Sequence, residues 1–455
     1  MCRFDFVLFD KTFLWESGFK IMKVLMFGWE FPPFKSGGLG TACYGLTKAL
    51  VKHDTQITFV IPKAPYDMKG EFVDLLVANS FDIDTKTSTS SEPNIDVKYI
   101  NSIITPYMTF SQYDFAKTRF TREQLKNMIK VNPSRDKDDA VYGRNLYEEV
   151  MRYTEKAKLV AAYADFDVIN CHDWMTYKAG IEAKRLSGKP LVCHIHATEF
   201  DRSAGGVNQT VYDMEREGFE HADVIIANSN LTKNNVVNHY GIDPSKVQVV
   251  HLGIEQNEDE YKVSAGKSKK IHDKTVLFLG RVTYQKGPDY FLKAAKEILR
   301  FEPDTKFVVA GDGDMLPDMI NMACNLGISK HVSFSGFLKG KDVHKAFQMA
   351  DVYVMPSVSE PFGLTPLESV KNGTPTIISH QSGISEVFNN TLKCDFWDIN
   401  KLTDKVVSVL RYNSLKEELL KNAVSEVRQM SWDTPAVKCK KIFHEAHEKF
   451  GMHLK

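Results

Sequence analysis

Short apolar runs rich in β-branched residues alternate with amphipathic helical stretches along most of this 455-residue chain. The first apolar run, 24–27, is followed by a helical pattern at 38–52 and by a second apolar run at 57–61. The alternation stops in the polar segment 257–274 and starts again at 275–279. Strands that alternate with helices form parallel sheets covered by helices on both faces. The pattern therefore predicts two α/β domains with Rossmann-like parallel sheets that face each other.

The alternation and its interruptions also predict where the parts of the chain begin and end. We expect a non-native or disordered extension at 1–21, a first Rossmann-like domain at 22–256, a linker at 257–274, a second Rossmann-like domain at 275–430 and a C-terminal helical tail at 431–455 that packs back on the first domain. The extension has no long apolar run, which argues against a signal peptide and favours Met22 as the biological start. Residues 82–137 hold a Ser/Thr-rich patch and a charged run, so we interpret them as a partly flexible insertion.

The charge balance excludes some classes of partner. Lys and Arg together occur 58 times, as do Asp and Glu, so the formal net charge is zero. Such a chain has no overall field that would attract nucleic acid or an anionic membrane. The seven cysteines form no C-x-x-C pair, which is typical of a reducing compartment. No apolar run approaches the roughly 20 residues of a membrane-spanning helix. We expect a cytoplasmic protein without bound nucleic acid or stable membrane insertion; the sequence gives no indication of the oligomeric state.

The segment SEPFGLTPLE at 359–368 combines acidic residues with a helix start. Thr365 stands at the expected N-cap, Pro366 at the first helical position and Glu368 three residues after the cap, which predicts a capping box. The free N–H groups of such a helix start attract an anion, and Glu360 and Glu368 would accept hydrogen bonds from hydroxyls. A phosphate ester of a polyol fits this chemistry, although an ordinary capped helix explains the same residues equally well.

A glycine-rich loop follows the first predicted strand. It carries Lys35, Gly37, Gly38 and Gly40. Glycines let the backbone approach a ligand closely and Lys35 can meet a phosphate, but a structural glycine turn accounts for the loop as well. The loop is not a dinucleotide-binding fingerprint, because Cys43 stands where the last glycine is needed. This argues against a nucleotide-dependent oxidoreductase.

A second loop at a strand end is basic. The strand predicted at 275–279 runs into GRVTYQKGPDY, which holds Arg281 and Lys286. Two cations on one loop would neutralise a diphosphate, Arg281 by bidentate contact and Lys286 as a point charge. A solvated basic loop explains either residue alone. Because ligands of open parallel sheets bind at the carboxyl ends of the strands, the combination with Lys35 favours a phosphate site there.

Two histidine-containing segments follow strands of the first half. The first segment presents three residues of interest: His172, Asp173 and Trp174. An aromatic ring beside an acid suits contact with a sugar, although a buried tryptophan is as common. In the second segment His194 completes a strand, so His196 is the better candidate for a site. Neither this H-x-H, with Glu199 nearby, nor the D-x-D within GDGD at 311–314 has a specific metal-ligand spacing, and we predict no metal site.

The chain from Met22 onward resembles the retaining glycosyltransferases of the GT-B fold, family 4, and among them the glycogen/starch synthase-like members. The motifs that carry the resemblance are KSGGLG at 35–40, HDW at 172–174, the segment around His196, GRVTYQKG at 280–287, GDG at 311–313 and the E-x7-E pair of Glu360 and Glu368. E-x7-E with a downstream N-G-T-P and an upstream R-x4-K is a specific combination. The resemblance implies the GT-B fold, with two Rossmann-like domains on either side of a crevice.

The resemblance also implies a role for each matching residue. The catalytic residues would be His196, Arg281, Lys286 and Glu360. The donor-binding residues would be Lys35, Gly37, Gly38, Gly311, Gly363, Leu364, Thr365 and Glu368. The acceptor-binding residues would be His172, Asp173 and Trp174. In this scheme Arg281 and Lys286 hold a diphosphate, Glu360 contacts the donor sugar and Glu368 contacts the ribose. The family's usual scheme needs neither a metal nor a cofactor besides the nucleotide-sugar substrate.

The implied reaction is the retaining transfer of a hexose, namely glucose, from ADP-glucose or UDP-glucose to a growing α-glucan. Two departures from bacterial glycogen synthases leave the donor nucleotide and the acceptor open. HQSGISEVF at 380–388 replaces the usual T-G-G-L stretch, and Gly40-Thr41 replaces Asp-Val.

Two other functions compete with this one. Within the family, synthesis of an exported or lipid-linked polysaccharide stays open because the insertion holds basic residues interleaved with aromatics: Lys117, Arg119, Arg122, Lys126 and Lys130. A solvated basic helix explains them as well. A glycosidase would use Glu360 and Glu368 as acid and nucleophile, but it would leave Arg281 and Lys286 without a role.

Overall fold

The protein forms two α/β units, each built on a sheet of parallel strands. The structure is a computed structural model that describes residues 21–32, 37–62, 75–77, 95–99, 146–203, 205–256 and 274–453. The elements before residue 257 are β1 (Met22–Phe27), α1 (Gly38–Lys52), β2 (Thr55–Ile61), β3 (Leu75–Val77), β4 (Ile95–Tyr99), α2 (Leu146–Tyr163), β5 (Val168–His172), α3 (Trp174–Ser187), β6 (Leu191–Ile195), α4 (Glu199–Ser203), α5 (Gln209–His221), β7 (Val224–Ala227), α6 (Asn230–Tyr240) and β8 (Val247–Val249). The elements after it are β9 (Thr275–Leu279), α7 (Pro288–Ile298), β10 (Lys306–Ala310), α8 (Leu316–Asn325), β11 (Val332–Gly336), α9 (Lys341–Met349), β12 (Val352–Met355), α10 (Thr365–Lys371), β13 (Thr376–Ser379), β14 (Leu392–Cys394), α11 (Ile399–Arg411), α12 (Asn413–Gln429) and α13 (Asp433–His453).

The strands form two separate sheets. The first sheet has the order β3-β4-β2-β1-β5-β6-β7-β8 and the second has the order β11-β10-β9-β12-β13-β14. Strand pairs are parallel throughout the described sheets. The order reverses at β1 in the first sheet and at β9 in the second, and loops at such points form ligand crevices. The expected fold class, two Rossmann-like units with a C-terminal helical tail, is confirmed.

Two strands of the first sheet were not expected from the sequence. β4 lies within 82–137, which we had interpreted as an insertion, and it pairs in parallel with β2 from Ile57↔Ile95 to Ile61↔Tyr99. β3 pairs with β4 and extends the sheet by one more strand. Part of this segment therefore continues the sheet. The rest of the proposed insertion, the linker residues 257–273 and Lys35 lie outside the described residues.

The last helix, α13, returns to the first sheet. Trp432 and five residues of α13 belong to the core of the first sheet: Ala436, Cys439, Ile442, Phe443 and Ala446. Gly45 of α1 makes room for Trp432, because a Cβ at Gly45 would lie 2.2 Å from its indole Nε1. The C-terminal tail therefore completes the first core.

Two expectations from composition, free cysteines and the lack of a membrane-spanning helix, can be compared with the described part of the chain. The six cysteines found there are free thiols, and all but Cys324 are buried. Among the helices that the structure describes, none combines the length and the apolar character needed to cross a membrane.

Candidate active site

Two loops at the carboxyl edge of the second sheet pack against each other with almost no space between them. Gly280 follows β9 and donates its N–H to Ala310 at 3.0 Å, and the Val282 N–H donates to the Asp312 carbonyl at 2.9 Å. A Cβ at Gly311 would lie 1.8 Å from the Gly280 carbonyl oxygen. Gly311 therefore has a demonstrable structural role, the close approach of the GDG loop to the loop that carries Arg281.

Lys286 and Glu360 form an ion pair at this edge. The Lys286 ammonium donates to Oε2 of Glu360, and the Ser357 hydroxyl lies 3.4 Å from the same oxygen. Both charged side chains are largely buried: 19% of the Lys286 side chain and 8% of the Glu360 side chain are exposed. Within the described part of the chain Oε1 of Glu360 has no hydrogen-bond partner. The pair places a cation and a free carboxylate oxygen side by side in the crevice.

The loop of Lys286 is fixed in place by Gln285. Arg281 donates from Nη2 to Oε1 of Gln285 at 3.3 Å. The carbonyl of the buried Gln285 accepts the Val358 N–H at 2.9 Å. The basic loop and the segment before Glu360 are thus connected through one residue, which explains how two motifs more than 70 residues apart share one site.

The helix start after Glu360 differs from the expected capping box. α10 begins at Thr365, its N-cap is Leu364, and no side chain caps it. The Thr365 hydroxyl instead accepts a hydrogen bond from the Tyr353 hydroxyl at 2.8 Å. The predicted capping box of Thr365 and Glu368 is wrong. Leu364, not Thr365, is the N-cap and already has a helical conformation, and the Thr365 hydroxyl is bonded to the Tyr353 hydroxyl. Gly373 does end the helix, with φ of +74°.

The backbone before α10 still presents donors. Among described residues, the N–H groups of Gly363, Leu364 and Thr365 donate to no acceptor. Gly363 has φ of +101°, a conformation that favours glycine, and it packs against Met355 and Glu360. These three N–H groups lie beside the Lys286–Glu360 pair, so an anion placed there would meet both a cation and amide donors.

In the first sheet, three histidines stack at the ends of β5 and β6. Nδ1 of His172 lies 2.9 Å from Nε2 of His196, and the ring of His194 is stacked on that of His196 with centroids 4.5 Å apart. Burial lowers the pKa of all three imidazoles well below its usual value. They are therefore neutral at pH 7, and the predicted His196 is hydrogen-bonded to the predicted His172.

Asp173 holds the backbone next to His196. Its Oδ1 accepts the His196 N–H at 2.7 Å, and its φ of +63° is rare for a residue other than glycine. Such strain persists only where the surroundings fix it, and it concentrates at functional sites. Burial raises the pKa of Asp173 to about 6, against the opposing effect of Arg202. Trp174, which follows, is buried in the core with 7% exposed.

Several charged residues outside the predicted site set support the segments of Asp173 and His196. Arg202 pairs with Glu199 at 3.2 Å and with Glu215, and its Nη1 donates to the Ala197 carbonyl. Glu30, buried after β1, accepts the Gly40 N–H at 3.1 Å. A single acidic residue after a strand, such as Glu30, does not form a recognisable sequence motif. The Arg202–Glu215 pair forms only through the packing of α5, which the sequence pattern does not specify. Sequence spacing therefore gave no signal for them.

Cys43 lies beside two of the histidines. One ligand atom each of Cys43, His172 and His196 lies within 4.8 Å of the others, and all three residues are buried. The set is the kind that a soft metal accepts. The two imidazoles, however, already bond to each other. At Gly37 and Gly38, at the start of α1, no heavy atom of the described residues lies within 4 Å of the position a Cβ would take.

The two sheets meet close to these residues. Ser359 donates from its hydroxyl to Oδ1 of Asp201 in α4 at 2.5 Å, and the Ser229 hydroxyl donates to the Pro361 carbonyl at 2.6 Å. Gly383 is needed there, because its Cβ would lie 2.2 Å from the Pro361 oxygen. Both residues that flank Glu360 thus contact the first half of the chain, and Ser359 contacts a helix that begins three residues after His196.

Two family profiles match adjacent parts of the chain. The profile described as "Glycosyltransferase Family 4" matches residues 118–258, and "Glycosyl transferases group 1" matches residues 259–426. The boundary between the two matches falls in the polar segment between the sheets. Together they account for both sides of the crevice.

Individual proteins give the same picture. An uncharacterized glycosyltransferase of Methanocaldococcus jannaschii is 28% identical over 449 residues, covering 94% of this chain and 100% of the relative. The glycogen synthase of Mycobacterium tuberculosis is 24% identical over 407 residues, 86% of each chain. The solved sucrose-phosphate synthase of Thermosynechococcus elongatus superposes with a TM-score of 0.67 at 16% identity, covering 93% of this chain and 98% of its own, and this likeness bears on the fold alone. The chain belongs to the family 4 glycosyltransferases of the GT-B fold.

Proposed function

We propose that this glycosyltransferase transfers glucose from a nucleoside diphosphate sugar to a growing α-glucan, with retention of configuration and without a metal. The observation that carries the proposal is the Lys286–Glu360 pair, which lies beside three N–H donors and next to the loop of Arg281. A nucleotide sugar carries its anionic diphosphate next to its neutral sugar. This arrangement offers cations and amides for the one and a carboxylate oxygen for the other.

Lys286 can serve both parts of such a donor. Its ammonium has three N–H donors, of which one points to Oε2 of Glu360, so the others are free to meet a phosphate oxygen. Oε1 of Glu360 would then accept a hydroxyl of the sugar. Arg281 would hold the distal phosphate, and Glu368 the ribose. In the first half, His196 would lie against the donor sugar.

The chemical step follows from charge. Cleavage of the bond between the anomeric carbon and the phosphate oxygen leaves an oxocarbenium-like sugar and a diphosphate that gains negative charge. Lys286, Arg281 and the amides before α10 would stabilise that charge, and the loss of one such donor typically costs ~10²–10³ in rate. The acceptor hydroxyl would attack from the face that the diphosphate leaves, and its proton would pass to a phosphate oxygen.

The glucan acceptor is supported by a relative's activity. A relative named glycogen synthase covers 86% of the chain at 24% identity, which supports a glucan. The 380–388 segment, where the sequence departs from bacterial glycogen synthases, contributes Gly383 to the contact between the sheets. Because this departure leaves the donor nucleotide open, both ADP-glucose and UDP-glucose are tested as donors.

One assay tests the proposal. Purified protein is incubated with ADP-glucose or UDP-glucose, with and without glycogen, and both the released nucleotide and the label in the polysaccharide are measured. We expect glycogen-dependent release, incorporated label that α-amylase removes, and the same rate after dialysis against EDTA. Release with neither donor would overturn the proposal. Loss of activity in EDTA that zinc restores would assign a metal to Cys43, His172 and His196 instead.

A further inference from the structure

Three aromatic side chains form a surface cluster on the second sheet, here called the aromatic platform: Tyr290, Phe396 and Trp397. The rings of Tyr290 and Phe396 lie edge to face with centroids 4.9 Å apart, and those of Phe396 and Trp397 lie edge to face at 4.8 Å. Phe396 therefore holds both neighbours in place. Trp397 nevertheless keeps 56% of its surface exposed. An exposed tryptophan in a fixed orientation offers a ready ring face to a ligand.

The platform is anchored on the ends of two helices. Tyr290 lies in the first turn of α7, where Lys293 Nζ stands 4.4 Å from its ring centroid and pairs with Asp289 at 2.8 Å. Asp398, the residue after Trp397, caps α11 by accepting the Lys401 N–H at 3.0 Å. Because these rings are already ordered, a ligand that stacks on them pays little of the usual entropy of ordering side chains.

The platform lies at the same edge of the sheet as the candidate active site. β14 ends at Cys394, two residues before Phe396, and the N-terminus of α7 follows the loop of Lys286. One residue joins the two places: Gln381 accepts the Glu360 N–H on its carbonyl at 2.9 Å and donates from Nε2 to Asp395 at 2.8 Å. Ligands of open parallel sheets bind at this edge. A chain that extends out of the crevice can therefore reach the platform.

We propose that the aromatic platform binds the acceptor polysaccharide, with a pyranose ring stacked on the exposed Trp397. The C–H face of a pyranose is apolar and carries partial positive charge, which complements the negative face of an aromatic ring. The proposal rests on the proposed function, since it names where that polymer is held at a distance from its reacting end.

The size of the platform favours a glycan over a protein partner. A stable protein interface buries roughly 800 Å² on each partner, whereas an aromatic side chain supplies about 150–250 Å² and two of these three rings are already partly covered. One or two sugar rings match the remaining area. Among the neighbouring charges, Lys293 is paired with Asp289, and the carboxylates of Asp395 and Asp398 accept hydrogen bonds from the Gln381 amide and the Lys401 N–H, so a polymer without negative charge is favoured. A neutral polymer suits such a surface.

Native gel electrophoresis tests the platform without any donor. The full chain is run in gels that contain glycogen, dextran, a β-glucan or a galactomannan, and the dissociation constant is taken from the retardation. We expect Trp397→Ala to weaken binding roughly fivefold to tenfold, as expected for one lost stacking partner. Tyr412→Ala is the matched control, because Tyr412 is 60% exposed but lies at the opposite end of α11. It should bind like the wild type.

The outcomes separate this proposal from the proposed function. Unchanged retardation of Trp397→Ala, or a wild-type protein that no neutral polysaccharide slows, overturns the platform. Retardation that depends on Trp397, without nucleotide release on glycogen, supports the platform and overturns the glucan transferase. Turnover with maltotriose should fall no more in Trp397→Ala than in Tyr412→Ala, since the proposal places Trp397 outside the crevice. A loss there would assign Trp397 to the crevice and overturn the proposal.

Discussion

Glu360 has one carboxylate oxygen engaged by Lys286 and Ser357 and the other available to a ligand. We expect Glu360→Gln to lower kcat by about 10²–10³, because the amide removes the charge opposite Lys286 and the acceptor for the sugar hydroxyl. Ser357→Ala removes only the 3.4 Å contact and should change kcat less than tenfold. Turnover of the two variants, with circular dichroism as the check on folding, measures the difference. Equal losses would contradict this role of Glu360.

The raised pKa of Asp173, about 6, makes a prediction about stability. An unfolded aspartate titrates near pH 4, so between about pH 4 and 6 the folded state binds more protons than the unfolded state. The contribution of Asp173 to stability is therefore lost as the pH rises through about 6. From pH 5 to 7.5 the wild type should lose about 1 kcal/mol of unfolding free energy relative to Asp173→Asn, measured by urea titration. No difference between the two slopes would contradict the burial of a titrating carboxyl.

His172 should fix the tautomer of His196. The Nε2 atom of His172 is buried and has no partner among described residues, and an unpaired buried acceptor is more readily tolerated than an unpaired buried N–H. The proton then lies on Nδ1 of His172 and is donated to Nε2 of His196, which leaves His196 with its own proton on Nδ1. Nitrogen-15 NMR of histidine-labelled protein should show this single tautomer, and His172→Leu should give a mixture. A His196 proton on Nε2 in the wild type would contradict the assignment.

At the scale of elements, the contact between the Gly280 and Gly311 loops can be tested with one methyl group. A Cβ at Gly311 would lie 1.8 Å from a backbone oxygen, so Gly311→Ala must displace the loop and should cost about 3 kcal/mol or more. Gly327 also has a positive φ, +73°, but no heavy atom of the described residues lies within 4 Å of its Cβ position. Gly327→Ala should therefore cost only about 1–2 kcal/mol. Urea unfolding of the two variants distinguishes crowding from backbone strain.

Elements with a strong local pattern were predictable from the sequence. The helix 38–52 and the strand 275–279 have the expected bounds, because glycine or polar segments flank uninterrupted patterns. β3 and β4 were missed, since three and five residues beside a polar Ser/Thr-rich stretch give too short a signal. The prediction of the capping box failed for a different reason: Tyr353, whose hydroxyl is hydrogen-bonded to the Thr365 hydroxyl, comes from a neighbouring strand. The placement of both motifs at strand ends, together with the family resemblance, predicted that Lys286 and Glu360 share a site, but not that Ser359 contacts Asp201.

At the scale of the whole molecule, Glu386 links the two sheets. This carboxylate of the second half accepts the N–H groups of Asn230 and Leu231, at 2.9 and 2.8 Å, and lies 3.0 Å from Nε2 of His251. It thus caps α6 of the first half, where negative charge is favourable. We expect Glu386→Ala to raise KM for the donor severalfold and to increase the radius of gyration in X-ray scattering.

Glu426→Ala is the control for this link. Glu426 likewise accepts two backbone N–H groups, from Asn389 and Asn390, but all three residues belong to the second half. The variant should lose stability without a change in KM for the donor or in the radius of gyration. Equal effects of the two substitutions on KM would contradict a role of Glu386 in holding the halves together.

The return of α13 has a consequence for synthesis on the ribosome. Trp432 and five residues of α13 complete the core of the first sheet, although they are translated after the entire second sheet. When residue 256 leaves the ribosome, the space above Gly45 is still empty and apolar surface stays open to solvent. The described core of the second sheet uses no residue after Met430, so this core can form as soon as α12 has emerged. The half that is made first is therefore finished last, and a ribosome that stalls before residue 432 releases a chain whose exposed first core is a target for chaperones.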